Sequence, residues 1–227
     1  MLKNDDGFPF LEIAKLKPDL IVGLNSGMEK ADYVKLTKIA PTIAHADSAA
    51  MWFAPWSQML TPIAAAVGRT GDGERVRSTV QKAFTEAAEA NPAFRGTKAI
   101  FLQNAVYDGS LIAYQKGLST EFLTDLGFEV PSEIDQFVKD GEQAYIPVEK
   151  ISVLNSADVL VWGTESDQDR VALQKVPGFS ALTAVKAGRS LYTGGELAGA
   201  IYFASPLSLP FVVDKLVPML AAAVKAG

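Results

Sequence analysis

Cysteine is absent from this 227-residue chain, and histidine occurs once, at His45. Without Cys there are no disulfides, no thiolate nucleophile, no Cys-bound zinc and no iron–sulfur cluster. With a single His, a HExxH helix and a His-rich metal cage are excluded, so no resident metal site is expected. A chain without stray thiols suits an oxidising compartment. Basic blocks are missing too. Lys and Arg number 21 against 26 Asp and Glu, for a net charge of -5. Nucleic-acid binding normally needs a basic stripe, so no nucleic-acid partner is expected. No apolar run reaches the ~18 residues that a membrane-spanning helix needs. Residues 1–10 show neither the basic nor the apolar region of a secretory signal.

What is present is a core-forming composition, 48% hydrophobic and 21% charged. Short apolar runs alternate with helical patterns, which predicts an α/β fold. Helix is expected from Pro9 to Leu16, where Pro18 disfavours helical geometry at Lys17. A buried strand follows at 20–23, a helix from Met28 to Ala40 and a second strand at 41–44. After a loop at 45–56, a helix is expected from Ser57 to Val67, ended by Gly68, Gly71 and Gly73, with Asp72 as N-cap of the next. That next helix, Glu74 to Ala90, carries Val76, Val80, Phe84 and Ala87 at helical spacing. Beyond it, strands are expected at 98–102, 110–114, 157–162 and 189–193, and short helices at 119–126 and 148–154. Ser166 and Asp169 have capping-box spacing. Ser205-Pro206 opens a long last helix that Pro218 kinks.

The strand inventory is lopsided, with two strands before the long helix and four after it. Two short parallel strands make a poor sheet. The first lobe is therefore expected to be truncated, lacking a strand–helix–strand of roughly 50 residues.

Catalytic signatures are scarce. Neither glycine-rich stretch, at 23–27 or 193–199, fits a dinucleotide or P-loop pattern, and GxSxG is absent. A cytoplasmic α/β enzyme using Asp/Glu chemistry remains the reading from a different class. Ligands on open α/β sheets sit beyond the carboxyl ends of the strands. Those ends carry Asn25 and Ser26; His45 with Trp52 nearby; the segment Asn104 to Tyr107; and Trp162 with Thr164. Trp52, Tyr107, Tyr114 and Trp162 would line one aromatic cleft, suited to a large, flat or partly apolar ligand. For each, the plainer alternative is packing between elements.

Several segments together resemble the class III periplasmic substrate-binding proteins for iron–siderophores, haem and cobalamin. They are LEIAKLKPDLIVG (11–23), KLTKIAPTI (35–43), APWSQMLTPIAAAVGR (54–69), GFEVP (127–131), VEKISVLNSADVLVW (148–162), PGFSALTAVKAGRSLYT (177–193) and AIYFASPLSLPFVVDKLVPML (200–220). Their order and spacing together are what make the resemblance specific, and the last pieces look most like actinobacterial ferric-siderophore binders. The resemblance implies two α/β lobes with mainly parallel sheets, residues 1–72 (incomplete) and 93–227, joined by one rigid helix over 73–92. It implies a non-enzymatic, extracytoplasmic component of an ABC importer, lipid-anchored in its precursor, holding a ferric siderophore in the cleft. It also implies docking to the permease through one surface Glu per lobe. Glu149 matches the position in the second lobe. Glu12 falls one residue from the position in the first.

The strand-end and cleft residues together give the expected ligand set: Asn25, Ser26, His45, Trp52, Tyr107, Tyr114, Trp162 and Thr164. Arg69, Arg75, Arg77, Arg95, Arg170 and Arg189 fall mostly in predicted helices and turns rather than at strand ends, which favours a neutral or apolar-tailed chelate. Haem, with Tyr107 or His45 as axial ligand, is the rival. The edge of a truncated first sheet offers a pairing surface for a second copy, giving a homodimer.

Overall fold

In the computed structural model, residues 7–45, 51–139 and 142–225 are described. The chain divides into two units, Met1–Glu74 and Arg75–Gly227.

In unit 1, Pro9 precedes helix α1 (Phe10–Leu16), and Lys17 ends it at φ 49°, just before Pro18. Strand β1 (Ile21–Gly23) leads through a turn into α2 (Lys30–Leu36). This helix is shorter than its sequence pattern, because Lys38 and Ile39 donate to carbonyls three residues back and tighten the last turn. Strand β2 (Thr42–Ala44) pairs with β1 in parallel, and these two form the unit's sheet among the described residues. Helix α3 (Trp56–Ala66) follows Pro55.

Helix α4 runs from Thr70 to Ala90, and the chain passes along it from unit 1 to unit 2. It begins earlier than the glycine pattern suggests, so Asp72 lies in its first turn rather than at its N-cap. Gly73 is there for space: a Cβ on it would sit 2.6 Å from the Ala64 Cβ of α3. The glycines that read as breakers are thus in part packing residues.

Unit 2 is built on five strands in the order β5-β4-β3-β6-β7. They are β3 (Ala99–Tyr107), β4 (Ser110–Tyr114), β5 (Ala144–Pro147), β6 (Val159–Gly163) and β7 (Ser190–Tyr192). The β3·β6 and β6·β7 pairs are parallel, and β3·β4 and β4·β5 antiparallel. Strand β5 went unforeseen, since it is four residues long and ends in Pro147. The β3–β4 hairpin turns on Asp108 and Gly109, both with positive φ (46° and 76°), the geometry of a type I′ turn. Between Leu102 and Val106 the ladder shifts register, with Leu102 opposite Ala113 and Val106 opposite Leu111. This bulge takes Gln103 and Asn104 out of regular pairing with β4 and re-aims them.

Alternation along the strands sends Ile100, Leu102, Leu160 and Trp162 to one core, with Leu111, Ala113, Ala144 and Ile146. Helix α6 (Asp167–Leu173), α7 (Thr183–Lys186) and 3-10 turns over 132–137, 148–156 and 179–181 contribute to that side. The residues between them in sequence face the other way. Phe101 meets Phe122 of α5 (Glu121–Thr124) edge-on at 5.3 Å and Tyr202 of α8 (Gly195–Tyr202) at 5.4 Å. Helix α8 was not expected, because Gly194, Gly195 and Gly199 mask the spacing of its buried Leu197, Ala198 and Ile201. Helix α9 (Ser208–Lys225) contains Pro218, and Ser205 and Ser208 cap each other at its start.

Candidate functional site

Strands β3, β5, β6 and β7 all finish at the same edge of the unit 2 sheet. Three phenols gather there. Tyr107 stands at the hairpin tip, 42% exposed, and its hydroxyl donates to Asn104 Oδ1 at 2.6 Å. Asn104 Nδ2 donates to Asp169 Oδ2 at 3.3 Å. That oxygen also accepts the backbone N–H of Glu165 (2.7 Å) and of Ser166 (3.1 Å), while Ser166 Oγ accepts Asp169 N–H at 3.3 Å. The capping box read from the sequence is therefore real, and its carboxylate reaches through Asn104 to Tyr107. Tyr114 is buried and accepts from Gln103 Nε2 at 3.0 Å. Tyr202 donates to the Gly163 carbonyl at 3.2 Å. A Cβ on Gly163 would lie 2.2 Å from the Tyr202 hydroxyl, so only glycine lets this ring lie against the end of β6.

All three phenols are held above their ordinary pKa. For Tyr202 the causes are burial, then the neighbouring phenols Tyr114 and Tyr107, then Glu165 and Asp169. Burial leads for Tyr107, followed by the same two carboxylates. For Tyr114 burial outweighs hydrogen bonds with Gln103 and Gln143. For Asp169 burial acts upward, but the hydrogen bonds from Glu165, Asn104 and Ser166 outweigh it and hold the pKa below the usual carboxylate value. The site thus presents neutral phenols beside an ionised Asp169. A phenolate at Tyr107, the axial ligand a haem reading calls for, would have to form against Glu165 and Asp169.

Beside this network lies a polar cavity of 410 Å³ bounded by Thr164, Glu165, Arg170, Tyr192, Thr193 and Gly194. Thr164 is buried, its hydroxyl accepting the Gly194 N–H at 3.3 Å. Arg170 lies over the Tyr192 ring, 4.8 Å from its centroid.

Trp162, expected on a cleft wall, is instead a core residue. It is wholly buried, donates from Nε1 to Ser190 Oγ at 3.0 Å and packs on Phe179 at 5.5 Å. Its position in β6 puts it on the opposite sheet face from Tyr202, because successive strand residues alternate. The turn after the strand, Gly163 to Glu165, is what reaches the edge.

In unit 1 the residues beyond β1 and β2 are organised around a loop. Asn25 Oδ1 accepts the Ala54 N–H at 2.7 Å, and Ser26 Oγ donates to the Gly23 carbonyl at 2.9 Å. Both side chains thus fasten backbone. Trp52, about half exposed, lies against Gly27, where a Cβ would come within 2.0 Å of the indole. His45 borders a 720 Å³ cavity with Met28, Glu29, Lys30, Tyr33, Ala44 and Met51. Its Nδ1 is buried and has no hydrogen-bond partner among the described residues. Glu12 on α1 and Glu149 at the start of the 148–156 turn are both exposed. Among the described residues, no three His, Cys, Asp or Glu side chains converge as a metal site.

Sequence reasoning missed Tyr202, Gln103, Glu165 and Asp169 as site residues. Asp169 was visible as a cap. Tyr202 carried no signal without α8.

Comparison with known proteins bears on this geometry. Residues 3–197 match the sequence profile of the periplasmic binding protein family. A periplasmic solute binding protein from Mycobacterium smegmatis is 42% identical, with 98% of this chain and 75% of that one aligned at a TM-score of 0.89. The iron uptake ABC transporter substrate-binding protein PiaA of Streptococcus pneumoniae is 27% identical, covering 100% of this chain and 78% of its own at a TM-score of 0.81. Its structure in complex with ferrichrome aligns with 100% of this chain and 76% of its own at 0.82. No curated protein sequence matches the chain.

Proposed function

The chain belongs to the periplasmic binding protein family, and on that footing we propose that it binds a ferric siderophore and delivers it to the permease of an ABC importer. It is an extracytoplasmic solute-binding protein and not an enzyme, so the reading as a cytoplasmic Asp/Glu enzyme falls away. The observation that carries the siderophore reading is the likeness to pneumococcal PiaA, whose complex holds ferrichrome and whose fold matches all of this chain.

The unit 2 edge supports it chemically. A siderophore wraps its iron in an organic shell, so the protein meets carbon, carbonyl and amide surface rather than metal. Phenol O–H groups, aromatic faces and an Asn–Asp network suit that surface. Tyr107, Tyr202 and Thr164 are the residues we assign to ligand contact in unit 2, with Trp52 and His45 in unit 1, while Tyr114, also expected at the ligand, is buried and packs on Phe101 and Tyr202. Glu12 and Glu149 are assigned to the permease. Both are exposed, and charges of this kind orient a partner more than they add affinity.

Titration of the protein with iron-loaded and iron-free ferrichrome tests the reading. Trp52 is the reporter, since its indole is half exposed. Saturable quenching by the ferric form, with little response to the iron-free form, is expected. A flat response to ferric hydroxamates and catecholates alike removes the proposal.

A further inference from the structure

The edge where β3, β5, β6 and β7 finish is charged with one sign. Asp108 lies in the β3–β4 turn and Glu149 just beyond β5. Glu165, Asp167 and Asp169 follow β6, and Glu196 stands in the first turn of α8 after β7. Within seven residues of these four strand ends, the six carboxylates are set against only two cations in the sequence, Lys150 and Arg170; Lys175, Lys186 and Arg189 come later in the β6–β7 connection. Arg170 is drawn over the Tyr192 ring, within a cavity that Glu165 and Asp167 also border. The remaining wall is neutral or apolar. The phenols hold their protons, and the chain after Tyr202 exposes Phe203 (82%) and, four residues on, Leu207 (91%).

Resting on the siderophore reading above, we infer that this edge of unit 2 selects ferric chelates by charge: it accepts neutral or cationic complexes of the hydroxamate class and rejects polyanionic ones. The physical reason is the alignment of fixed charge with ligand charge. A ferric trihydroxamate is neutral, because three hydroxamate anions balance the iron. It brings no charge to be repelled and presents apolar surface to the rings at this edge. A ferric tris-catecholate or a polycarboxylate complex keeps surplus negative charge and would place it beside Glu165, Asp167 and Asp169. Like charges juxtaposed at an interface suppress the wrong partner more than they favour the right one. Asp169 cannot relieve the repulsion by taking up a proton at neutral pH, since its hydrogen bonds hold it ionised.

The test is a pair of titrations on the full chain at low and at high salt, with ferrichrome as the neutral probe and a triply anionic ferric tris-catecholate as the other. Ferrichrome is expected to bind at least about tenfold more tightly at low salt, and the ratio to shrink at high salt as the fixed charges are screened. The double variant E165Q/D167N removes two exposed carboxylates and should narrow the ratio by about threefold or more. Equal or tighter binding of the tris-catecholate, or a ratio unmoved by the double variant, overturns the charge selection while leaving siderophore binding intact. Failure of both probes to bind overturns the siderophore reading and this inference with it.

Discussion

In unit 2, strand β3 is paired on both edges and its sheet is covered on both faces, so Ile100, Phe101 and Leu102 are all fully buried. In unit 1, β1 pairs with β2 alone among the described residues, and Val22 is half exposed. Helix α1 buries none of its residues and shows Leu11 (80% exposed) and Leu16 (67%) to solvent. The same α/β vocabulary thus yields two levels of burial. Apolar burial is worth about 25 cal/mol per Å², so unit 2 has far more holding it together. Local stability follows burial, and segments with few buried contacts open first. Unit 2 is a platform and unit 1 the softer partner.

The largest effect that would break this comparison comes from its strongest point. Phe101 touches Tyr114, Phe122 and Tyr202 at once, so Phe101→Ala empties the middle of the site-side core. A loss of about 3–5 kcal/mol is expected. Val22→Ala in unit 1 should cost no more than about 0.5 kcal/mol. Denaturant unfolding can assign each loss to its unit, because Trp162 reports on unit 2 and Trp52 and Trp56 on unit 1. Comparable losses from the two variants would mean that the exposed face of unit 1 carries stability its burial does not suggest.

A second pair turns on glycine. Changing a helical Gly to Ala gains about 1 kcal/mol of helix propensity when nothing is in the way. In α8 a Cβ on Gly199 meets nothing within 4 Å, so Gly199→Ala should stabilise by up to that amount. In α4 the same change at Gly73 drives a methyl into Ala64, and overpacking of that kind costs about 1–3 kcal/mol. A net loss is expected for Gly73→Ala, read as a lowered melting temperature. A gain there would mean that α3 and α4 yield to each other easily.

These positions also show which features the sequence discloses. Strands β1, β2, β3, β4, β6 and β7 announce themselves as apolar runs between turn residues, and the Ser166/Asp169 spacing announces its cap. Strand β5 and helix α8 do not, because Pro147 and three glycines blur their periods. The candidate site is harder still. Tyr107 was legible as the end of a strand, but its partners Asn104 and Asp169 lie 65 residues apart and meet only through the parallel β3·β6 pairing. Trp162 misled because its neighbour in sequence, not the tryptophan itself, faces the site. A period of two decides that, and register is a property of the sheet rather than of the strand.

The smallest expected effect bears on how the site is tied to the platform. Ser166 and Asp169 share the cap of α6 but differ in reach, because only Asp169 is also bound to Asn104. Ser166→Ala removes one accepted N–H and should cost about 1 kcal/mol, the usual value of an N-cap. It should leave Tyr107 in place. Asp169→Asn keeps the shape but removes the charge that gathers the donors. The pH dependence separates the two. The folded pKa of Asp169 lies below its unfolded value, so its contribution is complete above the ordinary carboxylate range. It is lost as the pH falls through the lowered folded value. Stability should therefore decline on acidification in the wild type and in Ser166→Ala with nearly the same slope, and less steeply in Asp169→Asn. Equal slopes in all three proteins would show that the carboxylate is an ordinary cap, and that Tyr107 is positioned by the Asp108-Gly109 turn alone.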